Sequence, residues 1–352
     1  RMAFNTPHAL QPYWDLAVAP VQADALAAAL ELDIFDVLTT PHTPTQLART
    51  LSLHAPHTAL LLELLWSMHV LERDEAPGLG DSESSYRCTA TSLHYFCRAS
   101  VAFCGDAWLY RLHALRHFAT QLSTLVREGG KASPSPGNIA NGVNWAAAAQ
   151  QQIGQEQRAV TMRAALSVME RIAPFAGRDT ALRLLDLGGG PGWVAIALAQ
   201  AHPGLQGSVF DWPETVAVAA ANIAHAGLSA RLDTIGGDLA ADDIGSGYDM
   251  LWCSSVLHFV PDMPAALRKM HAALQPGGVL VCVQAEIAPT PDDAARVLPY
   301  YLPMRMLGRA VTRQGELAQH LRSAGFARIE QYQASDFPMA PVQVLIARKD
   351  GR

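Results

Sequence analysis

The feature that most constrains the fold is a short stretch in which an apolar run leads into clustered glycines and then into an amphipathic helix. The stretch reads Leu184-Leu-Asp-Leu-Gly-Gly-Gly-Pro-Gly-Trp193. Glycines allow positive φ angles and let a ligand approach the backbone, while the N-terminus of a helix offers free N–H donors. The pattern therefore predicts a strand, a ligand-binding loop and a helix within an α/β domain.

The same alternation of strand and helix signals continues beyond residue 179. It is typical of a parallel, doubly wound sheet with helices on both faces. Two last apolar segments follow a further helix and would complete the sheet. Strands are predicted over residues 182–187, 207–210, 231–235, 248–253, 278–284, 327–333 and 342–347, and helices over 194–201, 215–226, 263–274 and near 315–323.

The spacing of the glycines distinguishes two classes of nucleotide-type cofactor. A dinucleotide-binding fingerprint requires a third glycine three residues after the second, and Trp193 occupies that position. Here an acid, Asp186, precedes Gly188, Gly190 and Gly192, which stand at alternate positions. This arrangement resembles the first motif of S-adenosylmethionine (SAM) methyltransferases.

Two further acids follow the next predicted strands. Asp211, beside Trp212, can accept hydrogen bonds from both ribose hydroxyls; Asp238 can receive the adenine amino group while Leu239 covers the ring. Each Asp taken singly is equally well explained as a helix cap or turn residue. With Asp186 they place three acids at three successive strand ends, the edge where such sheets bind ligands. We expect SAM or a close relative as the cofactor.

The first hundred residues combine three apolar helical segments with a polar, glycine-containing stretch. The apolar stripe over 22–38 has helical spacing, Thr43 or Thr45 can cap a short helix, and 60–71 predicts a strongly apolar third helix. Residues 73–91 are typical of the wing hairpin of a winged-helix module. Three apolar helices have more hydrophobic surface than so small a module can bury, so we expect a homodimer.

Composition excludes several kinds of partner. Residues 1–100 carry five arginines, no lysine and eleven acids, whereas the remainder is balanced and the whole chain has a net charge of −6. Binding to nucleic acid, including a role as a DNA-binding regulator, is disfavoured because phosphate contacts need lysine and arginine. Five cysteines without a CxxC pair, and no recognisable membrane span or signal peptide, predict a cytoplasmic protein without a membrane partner.

Taken together, these motifs resemble the small-molecule O-methyltransferases of the plant caffeic-acid type and their bacterial natural-product relatives. The resemblance implies a winged-helix dimerisation domain over 1–100, a helical linker and substrate-pocket region over 101–178, and a SAM-binding catalytic domain over 179–352. It also implies a SAM-dependent enzyme of secondary metabolism that methylates a hydroxyl of an aromatic small molecule.

The resemblance also implies a catalytic histidine. The segment after the fourth strand, Val256-Leu-His258, corresponds to the one that bears the histidine in that family. A neutral imidazole, of ordinary pKa ≈ 6.5, can take the proton of a phenol as its oxygen attacks a methyl group. The alternative is a loop histidine of the kind found in SAM enzymes generally. Ser254, where the family often has a basic residue, is counted among the candidate SAM contacts.

The surroundings of His258 depart from the family pattern. Positions that are acidic in the family hold Phe259, Ala285 and Ala310. His258 therefore lacks its usual carboxylate partners unless Glu286 or Asp262 substitutes for them. Relatives without these acids include enzymes that methylate by proximity alone. They also include SAM-binding hydroxylases and decarboxylases, and such chemistry is the alternative function.

Methionines and aromatic residues concentrate where the family places its acceptor pocket. Flat aromatic walls and adaptable methionines suit a planar acceptor, although any one of these residues could belong to an ordinary core. The candidates are Trp145, Met162, Tyr301 and Met304, with Tyr300 and Met306 close to them in sequence. His113 and His117 have a spacing that can chelate a metal, but without an evident third ligand we expect none.

Overall fold

The computed structural model describes residues 7–74, 84–133, 142–177, 180–339 and 341–351. The chain folds as two compact units, Arg1–Leu112 and His113–Arg352. In the parts that the structure describes, no helix is both long and apolar enough to cross a membrane.

The first unit combines helices with a two-stranded antiparallel hairpin. The apolar stripe over 22–38, predicted as one helix, is divided between two helices because Asp33 adopts the left-handed conformation (φ 54°). The elements are α1 (Gln11–Glu31), α2 (Ile34–Val37), α3 (Pro44–Leu51), α4 (Ala55–Ser67), β1 (Leu71–Asp74), β2 (Ser85–Cys88), α5 (Ala90–Tyr95) and α6 (Gly105–Glu128), which continues into the second unit.

Local signals in this unit are confirmed in part. Thr43, rather than Thr45, caps α3: its hydroxyl accepts a hydrogen bond from the Gln46 N–H, and the Gln46 side chain accepts one from the Thr43 N–H. The third helix ends at Ser67, four residues before the predicted end. The predicted hairpin is present, with β1 and β2 paired antiparallel. Its connection, residues 75–83, lies outside the described residues.

In the second unit, α6 is followed by a series of short helices. The sequence over 146–172 predicts either one long helix or a helix broken at Gly154; the break comes instead at Gln151 (φ −111°, ψ −88°), and Gly154 lies inside a helix. A π-helical turn, Gln157–Thr161, follows; such turns are frequent at functional sites. The helices are α7 (Gly142–Gln150), α8 (Gln152–Glu156), α9 (Met162–Met169) and α10 (Ala173–Ala176). Residues 129–142, whose Gly, Pro, Ser and Asn content predicts a loop, lie largely outside the described residues.

Within the described residues, seven strands form one sheet in the order β5-β4-β3-β6-β7-β9-β8. The five strands β3 to β7 run parallel to one another, as predicted, but β9 pairs antiparallel with β7 and with β8. The strands are β3 (Leu182–Leu187), β4 (Leu205–Asp211), β5 (Leu232–Gly236), β6 (Tyr248–Ser254), β7 (Leu274–Gln284), β8 (Arg328–Ala334) and β9 (Val342–Arg348). The helices are α11 (Trp193–Ala201), α12 (Pro213–His225), α13 (Met263–Ala273), α14 (Pro291–Ala294), α15 (Leu298–Met306) and α16 (Glu316–Ser323).

Both faces of the sheet are buried, which is why its strands are almost continuously apolar. Successive residues alternate between two cores: Leu184 and Trp252 pack on one face, and Leu185 and Leu251 on the other. The parallel strands therefore end at one common edge, beside the loops that carry the predicted site residues. The doubly wound α/β architecture is confirmed.

Candidate functional site

The glycine loop joins the end of β3 to the start of α11. Gly188, Gly190 and Gly192 all have positive φ angles, of 66°, 58° and 81°. A Cβ atom on Gly188 would collide with the side chain of Val256, and one on Gly189 would come within 2.6 Å of Asp186 Oδ2. Glycine is required here both by backbone conformation and by close packing.

A glutamine on the π-helical turn holds this loop from the other side. Gln157 Nε2 donates to the Gly189 carbonyl at 3.1 Å, and Gln157 Oε1 accepts from the Trp193 N–H at 3.2 Å. The two bonds connect one side chain to both arms of the loop. The glycine motif does not predict this partner, because Gln157 lies more than thirty residues earlier in the chain.

The acid that precedes the glycines is buried with one oxygen unsatisfied. Asp186 is 1% exposed, and its Oδ2 has no hydrogen-bond partner among the described residues. Burial first, and then the charge of Asp211, raise the pKa of Asp186 to about 7. A cationic group at this position would favour the ionised carboxylate.

The second acid, Asp211, is the last residue of β4 and binds the glycine loop. Asp211 Oδ2 accepts from the Gly190 N–H at 2.9 Å, and its Oδ1 accepts from the Trp212 N–H at 2.8 Å. Burial raises the pKa of Asp211, and these two N–H donors partly oppose that effect. Trp212 is 39% exposed. Asp211 therefore has a structural role in addition to any ligand contact.

The remaining predicted cofactor residues lie at the same edge. Asp238 follows β5, and its Oδ1 accepts from the Ala240 N–H at 2.9 Å, so it also stabilises its own turn. Leu239 is partly buried against the core. Ser254 is the last residue of β6 and is partly exposed.

His258 lies directly after β6, in a 3₁₀ turn formed by Leu257–Phe259. It is 4% exposed, and its Nε2 has no partner among the residues described. Burial, and then the positive charge of Arg309, lower the pKa of His258 to about 3. The imidazole is therefore neutral at neutral pH. Because Val256 of the preceding segment packs against Gly188, this turn adjoins the glycine loop.

The partner of His258 is an amide and not a carboxylate. Gln284 Nε2, at the end of β7, lies 2.9 Å from His258 Nδ1. The two acids considered as substitutes are engaged elsewhere. Glu286 accepts from the Leu317 N–H at 3.1 Å in the first turn of α16, and Asp262 caps α13 through the Ala265 N–H at 2.9 Å.

Two aromatic rings contact His258, and a third packs against one of them. Phe259 lies with its ring centroid 4.2 Å from that of His258, and Tyr301 at 5.9 Å. The Trp145 ring meets Phe259 edge-on at 5.2 Å. On Phe259, the guanidinium carbon of Arg309 lies 4.5 Å from the ring centroid. Residues from α7, the 3₁₀ turn after β6 and α15 thus form an aromatic wall, with Arg309 from the segment after α15 packed on it.

The sequence matches two models of a known family. A family model described as an O-methyltransferase domain matches residues 139–327, and one described as an O-methyltransferase dimerisation domain matches residues 14–96. The chain belongs to the O-methyltransferase family. The resemblance derived from the sequence motifs is thereby confirmed.

Curated relatives and solved structures agree with this membership. The chain is 27% identical to 3-hydroxy-5-methyl-1-naphthoate 3-O-methyltransferase of Streptomyces sahachiroi, over 90% of this chain and 89% of that protein. It is 29% identical to the N,N-dimethyltransferase OxyT of Streptomyces rimosus, over 76% and 75%. The fold is similar to that of human N-acetylserotonin methyltransferase in complex with SAM, with a TM-score of 0.74, 22% identity, and coverage of 99% of this chain and 100% of that one.

The other predicted pocket residues of this O-methyltransferase lie on two helices, α9 and α15. Met304 and Tyr300 pack with Tyr301 in a small separate core. Met162 directly follows the π-helical turn. The carbonyl of Met306 accepts from the Ala132 N–H at 3.2 Å.

The spaced histidines do not form part of a metal centre in the described residues, where no three potential ligands gather. His113 is exposed, and His117 Nε2 is buried with no partner that the structure describes.

Three residues of the site were not predicted from the sequence: Gln157, Gln284 and Arg309. Each comes from a segment remote from the motif residue that it contacts. Gln284 had a weak signal, because it ends a predicted strand next to the one that leads to His258. Arg309 and Gln157 had none, since their placement depends on helix ends and a π-helical turn.

Proposed function

We propose that this chain is a SAM-dependent enzyme that transfers a methyl group to a hydroxyl of an aromatic small molecule. The observation that carries the proposal is the contact of Val256 with Gly188, which sets the glycine loop directly against the turn of His258. A cofactor held by the loop and an acceptor held by the aromatic wall would therefore be neighbours. Membership of the O-methyltransferase family supports the reaction type.

The loop residues fit SAM. The unsatisfied, buried Oδ2 of Asp186 provides an acceptor for a cationic group, the backbone at Gly188, Gly190 and Gly192 has positive φ angles, and Gly188 leaves no room for a side chain. When bound, SAM supplies an electrophilic methyl group on a positively charged sulfur. We propose that the contacts to it come from Asp186, Gly188, Gly190, Gly192, Asp211, Trp212, Asp238, Leu239 and Ser254.

We assign the role of general base to His258. Its Nε2 can accept the proton of the acceptor hydroxyl only if the Nδ1 atom carries the other proton. This requires Gln284 to present its amide oxygen to Nδ1, which is the flipped orientation of the side-chain amide; the two orientations differ only by exchange of O and N. A neutral amide supports the imidazolium less than a carboxylate would, so His258 is a weak base in this site.

The acceptor is proposed to be a planar hydroxylated aromatic compound. The support is the ring wall of Trp145, Phe259 and Tyr301, together with relatives named for naphthoate and tetracenomycin O-methylation. Met162 and Met304 remain proposed pocket residues. Hydroxylase or decarboxylase chemistry is not favoured, because the curated relatives cited here are named as methyltransferases.

We further propose that the chain acts as a cytoplasmic homodimer, in which residues 1–100 pair the subunits, 101–178 link them to the catalytic domain, and 179–352 bind SAM. The match to an O-methyltransferase dimerisation domain supports the pairing. So does a set of large apolar side chains on α1 that are more than half exposed: Tyr13, Leu16, Val18 and Val21. Sedimentation at micromolar concentration should give twice the monomer mass, and a monomer would contradict the proposal.

The function is tested by transfer of isotope-labelled methyl from SAM to a panel of phenols and naphthols. We expect labelled aryl methyl ethers, with the position of the label assigned by NMR. Because relatives also include an N- and a C-methyltransferase, aromatic amines and phenols with a free ring position belong in the panel. Tight SAM binding without transfer to any oxygen would overturn the proposal.

A further inference from the structure

The acceptor side of the site contains a cation without a counter-ion. Arg309 is partly buried, and burial lowers the pKa of its guanidinium. Within the described ranges, no carboxylate lies within ion-pair distance of it and no hydrogen bond to its side chain is formed. Its guanidinium carbon lies 4.5 Å from the centroid of the Phe259 ring. A guanidinium removed from water without an anion is energetically unfavourable.

The backbone of Arg309 is fixed by the way α15 ends. Gly308 adopts a positive φ of 84°, and the Arg309 N–H donates to the Met304 carbonyl at 3.1 Å. This is the glycine-terminated helix end in which the chain turns sharply after the last helical turn. The Ala132 N–H, bonded to the carbonyl of Met306, anchors the same end. Arg309 is thus held beside the aromatic wall and not on a loose loop.

The groups around Arg309 leave its charge uncompensated. This charge adds to the effect of burial in lowering the pKa of His258, so the imidazole stays neutral. Glu286, the nearest acid in the sequence after β7, is engaged by the backbone of Gly315 and Leu317 at the start of α16. Asp262 is occupied as a helix cap. The acceptor side therefore favours a ligand with a negative charge.

We propose that Arg309 binds an oxyanion of the aromatic acceptor, so that the substrates are hydroxyarenes bound as anions. The oxyanion is either the ionised hydroxyl that receives the methyl group or a carboxylate beside it. In the first case the new O–C bond forms as the S–C bond breaks, and the negative charge on oxygen cancels the positive charge on sulfur. A hydroxyl that binds in its neutral form gives its proton to His258 Nε2. This inference rests on the proposed function.

Arg309 explains how a weak base can suffice. A fixed cation next to a phenol oxygen favours the phenolate, so less is required of His258. Arg309 also has a simpler possible role, as a packing partner for Phe259. The two roles differ in one respect: packing affects charged and neutral acceptors alike, whereas oxyanion recognition affects only the charged ones.

The test compares three probes by calorimetric titration into the full-length protein saturated with S-adenosylhomocysteine (SAH). The probes are 4-nitro-1-naphthol, which ionises at its hydroxyl, 1-hydroxy-2-naphthoate, which carries a carboxylate, and the neutral 1-hydroxy-2-naphthamide. In Arg309→Gln, we expect the affinity for the anionic probes to fall about 10- to 100-fold and that for the amide to change less than about threefold. Loss of affinity for only one anionic probe identifies which oxyanion Arg309 binds.

The matched control is Arg305→Gln, which removes an exposed arginine from the last turn of α15, four residues before Arg309. It should leave all three affinities unchanged, and both variants should retain SAH binding and the thermal midpoint of the wild type. The inference is overturned if Arg309→Gln weakens the amide as much as the anions, if it weakens none of them, or if the wild type binds no anionic probe. Oxyanion binding without any methyl transfer would instead contradict the proposed function.

Discussion

The cofactor side and the acceptor side of this site are built in opposite ways. The cofactor side consists of the glycine loop with two buried acids, Asp186 and Asp211, in a segment of about twenty-five residues. The acceptor side brings together His258, Arg309 and Trp145 from segments far apart in the chain, and among the described residues no acid pairs with its cation. One side suits a cation and the other an anion.

The difference fits the chemistry of methyl transfer from a sulfonium to an aryl oxygen. The reaction joins a positive donor to a negative acceptor and leaves two neutral products. A protein that binds both charged forms side by side needs little further acid or base chemistry. Changes on each side should therefore affect different quantities.

The largest effect is expected for His258→Ala. For an acceptor whose hydroxyl binds in its neutral form, removal of the proposed base should lower kcat about 10²- to 10⁴-fold, because the acceptor proton then has no positioned partner. The affinity for SAH, measured by calorimetry, should stay within about twofold of the wild-type value. Full turnover by this variant would reject the role of His258 as a base.

Next in size is Gly188→Ala. A methyl group there would collide with Val256 and hold the residue at a strained φ of 66°. We expect the affinity for SAH to fall about 100-fold. Gly227→Ala is the matched control, since Gly227 has a similar φ of 71° but open space around it. Equal losses in the two variants would mean that strain alone, and not the loop geometry, determines binding.

An effect of pH on the cofactor side should follow from Asp186. Its pKa of about 7 means that the apo protein holds a neutral carboxyl below pH 7, whereas the cationic SAM favours the carboxylate. Affinity for SAM should therefore rise by up to about tenfold per pH unit towards pH 7 and level off above it. Asp186→Asn should flatten this dependence, measured by titration from pH 5 to 8. An unchanged slope would remove Asp186 from the cofactor site.

The same raised pKa makes a prediction for stability. An unfolded Asp ionises near its ordinary pKa, while the folded one holds its proton up to about pH 7. The contribution of Asp186 to the free energy of unfolding is thus greatest below pH 4 and decreases as the pH rises towards 7. Chemical denaturation should show Asp186→Asn gaining stability relative to wild type over this range. If the difference in free energy of unfolding between Asp186→Asn and wild type is the same at pH 4 and at pH 7, the assignment is contradicted.

The smallest effect is expected for Gln157→Leu. It removes the hydrogen bonds to both arms of the loop, each of which contributes about 0.5–1.5 kcal/mol. The dissociation constant for SAH should rise about five- to tenfold, with the acceptor affinity unaffected. Gln151→Leu, on the same segment but exposed, is the control. A loss of acceptor affinity in Gln157→Leu would show that the two sides are not independent.

Sequence reasoning was most successful where the physics is local. Strands buried on both faces are nearly continuous apolar runs. An apolar strand followed by Gly188, Gly190 and Gly192 is compatible with few structures other than a tight loop that leads into a helix. The direction of β9 could not be predicted, because burial does not encode whether a strand runs parallel or antiparallel. The break at Asp33 was missed because helical spacing continues across it.

The acceptor side was less predictable because its contacts depend on tertiary structure. That His258 is partnered by Gln284, rather than by Glu286 or Asp262, follows from which residue ends β7 facing the turn. Arg309 is placed beside the aromatic wall by the way α15 ends, which the sequence does not show. Such residues can be recognised as part of the site only from the tertiary structure, which brings distant segments of the chain together.

The central claim is that the two sides bind oppositely charged partners independently, and a cross-titration tests it most directly. The affinities for SAM and for the two anionic probes, 4-nitro-1-naphthol and 1-hydroxy-2-naphthoate, are measured in wild type, Asp186→Asn and Arg309→Gln at pH 7.5. We predict that Asp186→Asn weakens only SAM and that Arg309→Gln weakens only the binding of one or both anionic probes. If both variants weaken the same ligand, or neither changes either affinity, the division of the site into a cation side and an anion side is wrong.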